Sequence, residues 1–262
     1  MISALIAPKA SVLLDFDDIL ATYKSKEHGI KALSQYKSWF PLKASPELAG
    51  ITADLIGDGH LQSPPKSRLD YCSKYTSELE RFNLEIYNLF AVKGKIRDCT
   101  TNRYNTKNLG INNKPLVRVL EKVGVPIGAK VFTPFPVPAW ILKDKVLFSR
   151  FINRLFSCEG NVDLYSKCIE FRMFKSVDLL QNGLDFFHEI KSNLEEYFAI
   201  KSTKPFLYGK TNMRKDGRET RGIRLKIKDK GSLLNFKRFV GFDDQSKQKR
   251  LDFIIEKHLN QD

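Results

Sequence analysis

The sequence predicts an α+β fold made of two copies of an αββαββα unit, each presenting a sheet with an apolar back and a positively charged front. Three observations carry this. Acid, lysine, apolar and glycine positions between residues 58 and 125 recur in the same order between residues 159 and 242. Strand-like stretches alternate apolar and basic residues with a period of two, which puts the two classes on opposite sheet faces. The excess of 44 Lys and Arg over 30 Asp and Glu, a formal charge of +14, is concentrated in two short windows.

Those windows are Lys93–Lys107, with five basic residues and one acidic, and Lys210–Lys230, with nine and three. Concentrated positive charge costs self-repulsion in the folded state and points to an anionic partner. A length of 262 residues suits one large domain or two compact halves. Hydrophobic residues at 42% and charged ones at 28% exclude global disorder. No apolar run approaches the roughly 18 to 20 residues of a membrane helix. The opening residues place no basic cluster ahead of their apolar stretch, so a signal peptide is not expected. Cys72, Cys99, Cys158 and Cys168 form no CxxC pair and have no histidine at zinc-ligand spacing. A reducing, intracellular compartment is therefore expected, and structural zinc is not.

In chain order, residues 1–45 carry weak helical patterning and form an extension of unknown role. The first unit, 46–125, opens with a helix over 46–57 whose small residues Ala49, Ala53 and Gly57 are four apart and share a face. Gly57-Asp58-Gly59 ends it. Strands follow near 60–62 and 68–73. A helix over 76–90 is read from the spacing of Leu79, Phe82, Ile86 and Leu89. Two strands, 93–98 and 103–108, lie in the first basic window, and a helix with Pro115 in its first turn closes at Val123-Gly124-Val125. Residues 126–146 are a linker with four prolines, suited to an extended connection. The second unit, 147–262, opens with a helix over 147–158 ending at Glu159-Gly160. A helix over 176–198 packs Leu180, Leu184, Phe187, Ile190 and Leu194, and the tail from Gln245 reads as a terminal helix with Leu251, Ile254 and Ile255 facing inward.

The repeat is read at two offsets. At 101 residues, Asp58 meets Glu159, Lys74 meets Lys175, Leu79 meets Leu180, Ile86 meets Phe187 and Leu89 meets Ile190. At 117, Val123-Gly124-Val125 meets Val240-Gly241-Phe242. In Gly222–Lys228 the residues Ile223, Leu225 and Ile227 alternate with Arg224, Lys226 and Lys228, and Lys93, Lys95 and Arg97 do the same in the first unit. If the units pack through their first helices, two carboxylates approach each other. Their repulsion is relieved by a divalent metal, for which hard oxygen ligands suit Mg²⁺. Two acids beside two positive sheets read as metal-assisted phosphodiester hydrolysis.

Leu48-Ala-Gly-Ile-Thr-Ala-Asp-Leu-Ile-Gly-Asp-Gly-His60 and Phe151-Ile-Asn-Arg-Leu-Phe-Ser-Cys-Glu-Gly160 resemble the two signature helices of LAGLIDADG homing endonucleases. Gly124-Val-Pro-Ile-Gly-Ala-Lys130, followed by Val137-Pro-Ala-Trp-Ile141, is similar to the segment joining the halves of archaeal-type members. The resemblance spans roughly residues 46–242. It implies a monomeric, single-chain pseudo-dimer with two antiparallel, saddle-shaped sheets on double-stranded DNA, the signature helices forming the interface between halves. It implies Mg²⁺ (or Mn²⁺) held by Asp58 and Glu159 with the backbone carbonyls of Gly57 and Cys158. Lys74 and Lys175, each 16 residues after its acid, would assist the attacking water or the developing charge. DNA contacts are expected from Gln62, Arg68, Lys95, Arg97, Arg103 and Lys107, and from Lys167, Arg172, Lys210, Arg221, Arg224 and Lys226. Tyr71, Tyr104, Tyr165 and Tyr208 are placed for packing or for touching bases, and His60 for solvent or phosphate. The sequence departs from the signature at Ala53 and Arg154, where small residues let helices touch. Arg154 would hold the helices apart or turn out of their interface, unless Ser149, Asn153 and Ser157 supply a small polar stripe instead. The same fold also serves intron maturases that bind RNA, and DNA-binding proteins that no longer cut. The flanking residues of a self-splicing intein are not recognised.

Overall fold

The computed structural model of the chain describes residues 11–99 and 105–259. It divides between Gly128 and Ala129 into two compact units. In the first unit, β1 (Val12–Leu14), α1 (Phe16–Leu20), α2 (Lys26–Leu33), a 3-10 turn (Ser34–Trp39) and β2 (Leu42–Lys43) precede α3 (Pro46–Ile56), β3 (Gly59–Leu61), β4 (Leu69–Ser73), α4 (Thr76–Phe90), β5 (Lys95–Asp98), β6 (Lys107–Ile111) and α5 (Lys114–Lys122). In the second, a 3-10 turn (Lys130–Phe132) and α6 (Ala139–Leu142) lead into α7 (Lys145–Glu159), β7 (Gly160–Asp163), β8 (Cys168–Ser176), a 3-10 turn (Val177–Leu179), α8 (Leu180–Phe198), β9 (Phe206–Met213), β10 (Glu219–Ile227), α9 (Lys230–Phe239) and α10 (Gln245–Leu259).

The protein is thus α+β, and each unit carries one four-stranded antiparallel sheet. Strand order is β3-β4-β6-β5 in one and β7-β8-β10-β9 in the other. The two orders are the same once the strands are numbered within their unit, so the αββαββα repeat is present in the fold. Helices begin where the sequence offers caps: Ser45 accepts from Leu48 N with Pro46 in the first turn, Asn113 from Leu116 N, and Asp229 from Ser232 N. The described residues ahead of α3 are tied to the rest of the first unit. Trp39 Nε1 donates to the Phe90 carbonyl at 2.8 Å, and Arg118 on α5 donates to the Thr22 carbonyl at 2.7 Å while covering the Tyr23 ring. Between the repeats, the proline-rich stretch is pinned along α8, where Asn182 and Glu189 accept from the backbone of Phe135 and Val137.

Each core lies between a sheet and its helices. Tyr71 on β4 stacks on Phe82 of α4 at 4.3 Å, and Phe171 on β8 meets both Phe156 of α7 and Phe187 of α8 at 4.7 Å. The helix correspondence differs from the 101-residue offset. Both α4 and α8 end in a left-handed alanine, Ala91 and Ala199, which are 108 apart. At that offset the buried set Leu79, Phe82, Ile86 and Phe90 meets Phe187, Ile190, Leu194 and Phe198. The reason is local: β8 has nine residues where β4 has five, and a 3-10 turn follows it. Extra length therefore enters before α8 and again in the second hairpin, where β9 and β10 have eight and nine residues against four and five in β5 and β6.

The helix ends preceding β3 and β7 obey the shorter offset because geometry fixes them. A Cβ on Gly59 would lie 2.6 Å from Leu55 Cα, and one on Gly160 would lie 2.5 Å from the Phe156 carbonyl oxygen. In both units the chain folds back against the helix it has just left, and only glycine allows that approach. Gly160→Ala should therefore lose about 2 kcal/mol of stability through forced displacement. Gly231→Ala, where a Cβ would meet the Asp229 carboxylate oxygen at 3.3 Å, should be neutral or stabilising. Urea midpoints of the two variants against the parent check this.

Candidate functional site

Strand pairing defines a polar face on each sheet, because directly paired residues point to the same side. In the first unit that face carries His60, Asp70, Cys72, Asn108, Gly110, Lys95 and Arg97, with Gln62 and Arg68 continuing it past the end of β3. Asp70 organises one end: Arg68 reaches it at 2.7 Å, Asn108 Nδ2 donates at 2.9 Å, and Gln62 Nε2 donates as well. Arg68, Lys93, Lys95, Arg97, Gly110 and Asn112 line a shallow concavity there. Gln62, Arg68, Lys95 and Arg97 thus share the face expected of them. Lys107 does not. It has the parity of Leu109 and Ile111, on the helix side, and lies 3.9 Å from Asp98. The strand starts at Lys107 rather than ending near it, so its register was out of step. Arg103 and Tyr104 lie outside the described residues.

The second polar face carries Asn161, Asp163, Cys168, Glu170, Arg172, Phe174, Gly222, Arg224, Lys226, Phe206 and Tyr208. Glu170 binds Lys226 at 2.5 Å and Arg224 at 3.3 Å, and Arg224 lies 4.0 Å over the Tyr208 ring. Tyr208 in turn contacts Phe174, with ring centroids 5.9 Å apart. Cations and partly exposed aromatic rings alternate here, and Arg172 and Lys210 are exposed beside them. Lys167 is half-buried in the turn before β8. Arg221 corrects the expectation: it pairs with Lys175 on the opposite, helix-facing side. Tyr71 belongs to the core rather than the surface, while Tyr165 is 96% exposed.

Donor chemistry separates the two acids. Asp58 is exposed in the turn between α3 and β3, next to the Gly57 carbonyl at the end of α3. Burial, and then Cys99, Asp70 and Asp58, push the Cys72 pKa up to about 11. A hard carboxylate and an adjacent backbone carbonyl are donors of the kind that suit a divalent ion such as Mg²⁺. Glu159 ends α7, and there Lys247 Nζ already donates to the carbonyls of Ser157 at 2.5 Å and Cys158 at 3.2 Å, with that of Phe156 at 3.5 Å. An ammonium fills the place of a cation on the Cys158 carbonyl, so this second donor set does not fit an ion. The one three-donor cluster among the described residues is Asp163, Cys168 and Glu170, with ligand atoms within 4.8 Å. Its Glu170 is already neutralised by Lys226 and Arg224, and it is assigned no metal.

The lysines also part company. Lys74 is exposed just past β4. Lys175 is 3% exposed, on the helix side of β8, where Nζ donates to the Lys130 carbonyl at 2.9 Å and the Thr133 carbonyl at 2.7 Å and lies 3.8 Å over Phe135. Sheet register explains the difference. Gly59 pairs with Tyr71 and Gly160 with Phe171, so the position equivalent to Lys74 is Phe174. Lys175 ties the linker to the second unit and has no place at a scissile phosphate. Arg154 is likewise buried, at 1%, and donates to Asp243 at 3.0 Å beside Arg150 at 2.7 Å. Burial raises the Asp243 carboxyl, but the two guanidiniums outweigh it and hold its pKa below the usual range. Ser149, Asn153 and Ser157 bond the closing turn after α9, through the Phe239 and Val240 carbonyls and Asp243 N. The polar stripe of α7 is therefore spent within its own unit.

No protein-family model matches the chain. It is 26% identical over 277 residues to a tRNA-splicing ligase of Methanocaldococcus jannaschii, covering 96% of this chain and 27% of that protein. It is also 26% identical over 219 residues to the glutamine–fructose-6-phosphate aminotransferase of the same organism, covering 83% and 18%. The chain thus spans about a quarter, or less, of the curated relatives it matches. Among solved structures, the homing endonuclease I-WcaI bound to its DNA recognition sequence superposes with a TM-score of 0.50 at 9% identity, over 92% of this chain and 97% of that one. A mesophilic variant of the homing endonuclease I-DmoI gives 0.48 at 16% identity, over 74% and 95%. The likeness to I-WcaI establishes the fold. No helix among the described residues is long and apolar enough to cross a membrane, and none of the four cysteines is in a disulfide.

Lys175 yields a test by pH. Burial, with Lys130 nearby, pulls its pKa from 10.5 down to about 8. Between those values the unfolded chain binds more protons than the folded one, so stability from this group rises as pH goes from 8 to 10. The parent should gain stability over that interval relative to Lys175→Met, measured as the difference between their urea midpoints at each pH.

Proposed function

We propose that this chain is a site-specific, metal-dependent endonuclease of the homing type, acting on double-stranded DNA. The observation that carries the reading is the pair of matching sheets with cationic polar faces: Arg68, Lys95 and Arg97 on one, and Arg172, Arg224 and Lys226 on the other. A face that binds phosphates through Lys and Arg and meets bases through aromatic and amide groups suits a nucleic acid rather than a small substrate. The relatives support a module rather than a ligase. Ligation of RNA and transfer of an amino group to a sugar phosphate are unrelated reactions, yet proteins named for each match this chain over more than 200 residues. A segment carried within both accounts for that, and neither host activity does.

Asp58 and the Gly57 carbonyl would hold the divalent ion, which when bound supplies Lewis acidity and a water of lowered pKa. Lys74 would neutralise charge that develops on the phosphate. Arg68, Arg97, Arg172 and Arg224 would read bases or phosphates and set register on the duplex, while Lys95, Lys210 and Lys226 would act mainly through phosphate charge. Gln62 and Lys167 extend the two faces at their ends.

Cleavage of a randomised-target plasmid library in Mg²⁺ against EDTA tests the reading. The parent should release linear or nicked product only with Mg²⁺. Asp58→Asn should lose roughly a hundredfold or more of the rate with duplex affinity unchanged or tighter. Lys95→Ala should lower the slope of log affinity against log salt by about one. Metal-independent cutting, or full activity in Asp58→Asn, would remove Asp58 from the site.

A further inference from the structure

The two polar sheet faces differ in one class of residue. Among the described residues, the paired strand positions of the first face hold no Phe, Tyr or Trp. Those of the second hold Phe174, Phe206 and Tyr208. Phe174 is 42% exposed. A phenyl ring left in water forgoes the free energy of burial, and the core does not require this one. The opposite faces of β8 and β10 already bury Phe171, Met173, Ile223 and Leu225.

The rings are fixed by their neighbours. Gly222 on β10 pairs with Phe174 on one side and with Tyr208 on the other. The Tyr208 ring lies over it so closely that a Cβ there would be 2.4 Å from a ring carbon. Arg224 covers the same ring at 4.0 Å and is itself held by Glu170 at 3.3 Å. Phe174 meets Tyr208 edge to face, with centroids 5.9 Å and planes 61° apart. Tyr208 is thus enclosed, and Phe174 stands against it with much of its surface in solvent. Arg172, two residues before Phe174 on the same face, is exposed as well.

A paired duplex shows base edges in its grooves, and the one apolar feature of those edges is the thymine methyl. A base out of the stack shows its π-face instead, which an exposed aromatic ring takes whatever the sequence. We propose that Phe174, backed by Tyr208 over Gly222, is a stacking site for an unpaired DNA base, with Arg172 on the adjoining phosphate. This rests on the DNA-binding reading above and adds the class of duplex the second unit selects, one with a base displaced from its stack.

Fluorescence anisotropy with three labelled duplexes of one sequence, in EDTA, tests this without turnover. One is fully paired, one carries a single bulged adenine, and one carries an abasic bulge, which keeps the distortion and removes the base. The parent should bind the adenine bulge roughly tenfold more tightly than the abasic one. Phe174→Ala should bind the two bulges alike, and Phe174→Tyr should keep the preference. Equal affinity of the parent for both bulges, a preference that survives Phe174→Ala, or its loss in Phe174→Tyr would each overturn the stacking site while duplex binding stands. Tighter binding of the same bulge in an RNA duplex would overturn the assignment to DNA. No binding to any of the duplexes would defeat the DNA-binding reading itself, and the stacking site with it.

Discussion

The architecture depends on one steric constraint, met twice. At the ends of α3 and α7 the chain turns back so closely that a side chain on Gly59 or Gly160 would meet the helix backbone at 2.6 or 2.5 Å. That turn fixes where β3 and β7 begin. It also holds Asp58 and Glu159, the residues just before the glycines, at a helix end whose carbonyls lack helical partners. α3 is buried at every residue from Leu48 to Ile56, so the rigidity of the turn is backed by a packed helix.

From that shared turn the units diverge in how they manage charge. The first leaves Asp58 exposed and gathers Arg68, Asn108 and Gln62 around Asp70. The second commits its charges locally: Arg150 and Arg154 to Asp243, Lys226 and Arg224 to Glu170, and Lys247 to the α7 carbonyls. Its exposed cations and rings, Arg172, Lys210 and Phe174 among them, remain for a partner.

Much of this was legible in the sequence, for identifiable reasons. Strict alternation placed Lys95, Arg97, Arg224 and Lys226 on one face, because a period of two survives wherever a strand is correctly bounded. It failed at Lys107, where the strand begins later than the pattern suggested, whereas Arg221 was expected on the polar face against the alternation, which gives it the parity of the apolar Ile223. The paired acids and glycines were found because steric need leaves a residue signature. Lys175 was misplaced because one residue fewer between β7 and β8 shifts the register that the acid-to-lysine spacing assumed. Lys247 left no signal, since a lysine in a terminal amphipathic helix reads as solvated surface until the helix is seen against α7.

The central claim is that the polar sheet faces, and not the helical backs, meet the duplex. Its most direct measurement is lysine acetylation of the chain, with and without duplex DNA, read residue by residue by mass spectrometry. Lys95 and Lys210 should be protected by DNA, while Lys237, which pairs with Asp252 on the helical side at 2.8 Å, should react as before. Protection of Lys237 with Lys95 and Lys210 left reactive would contradict the account.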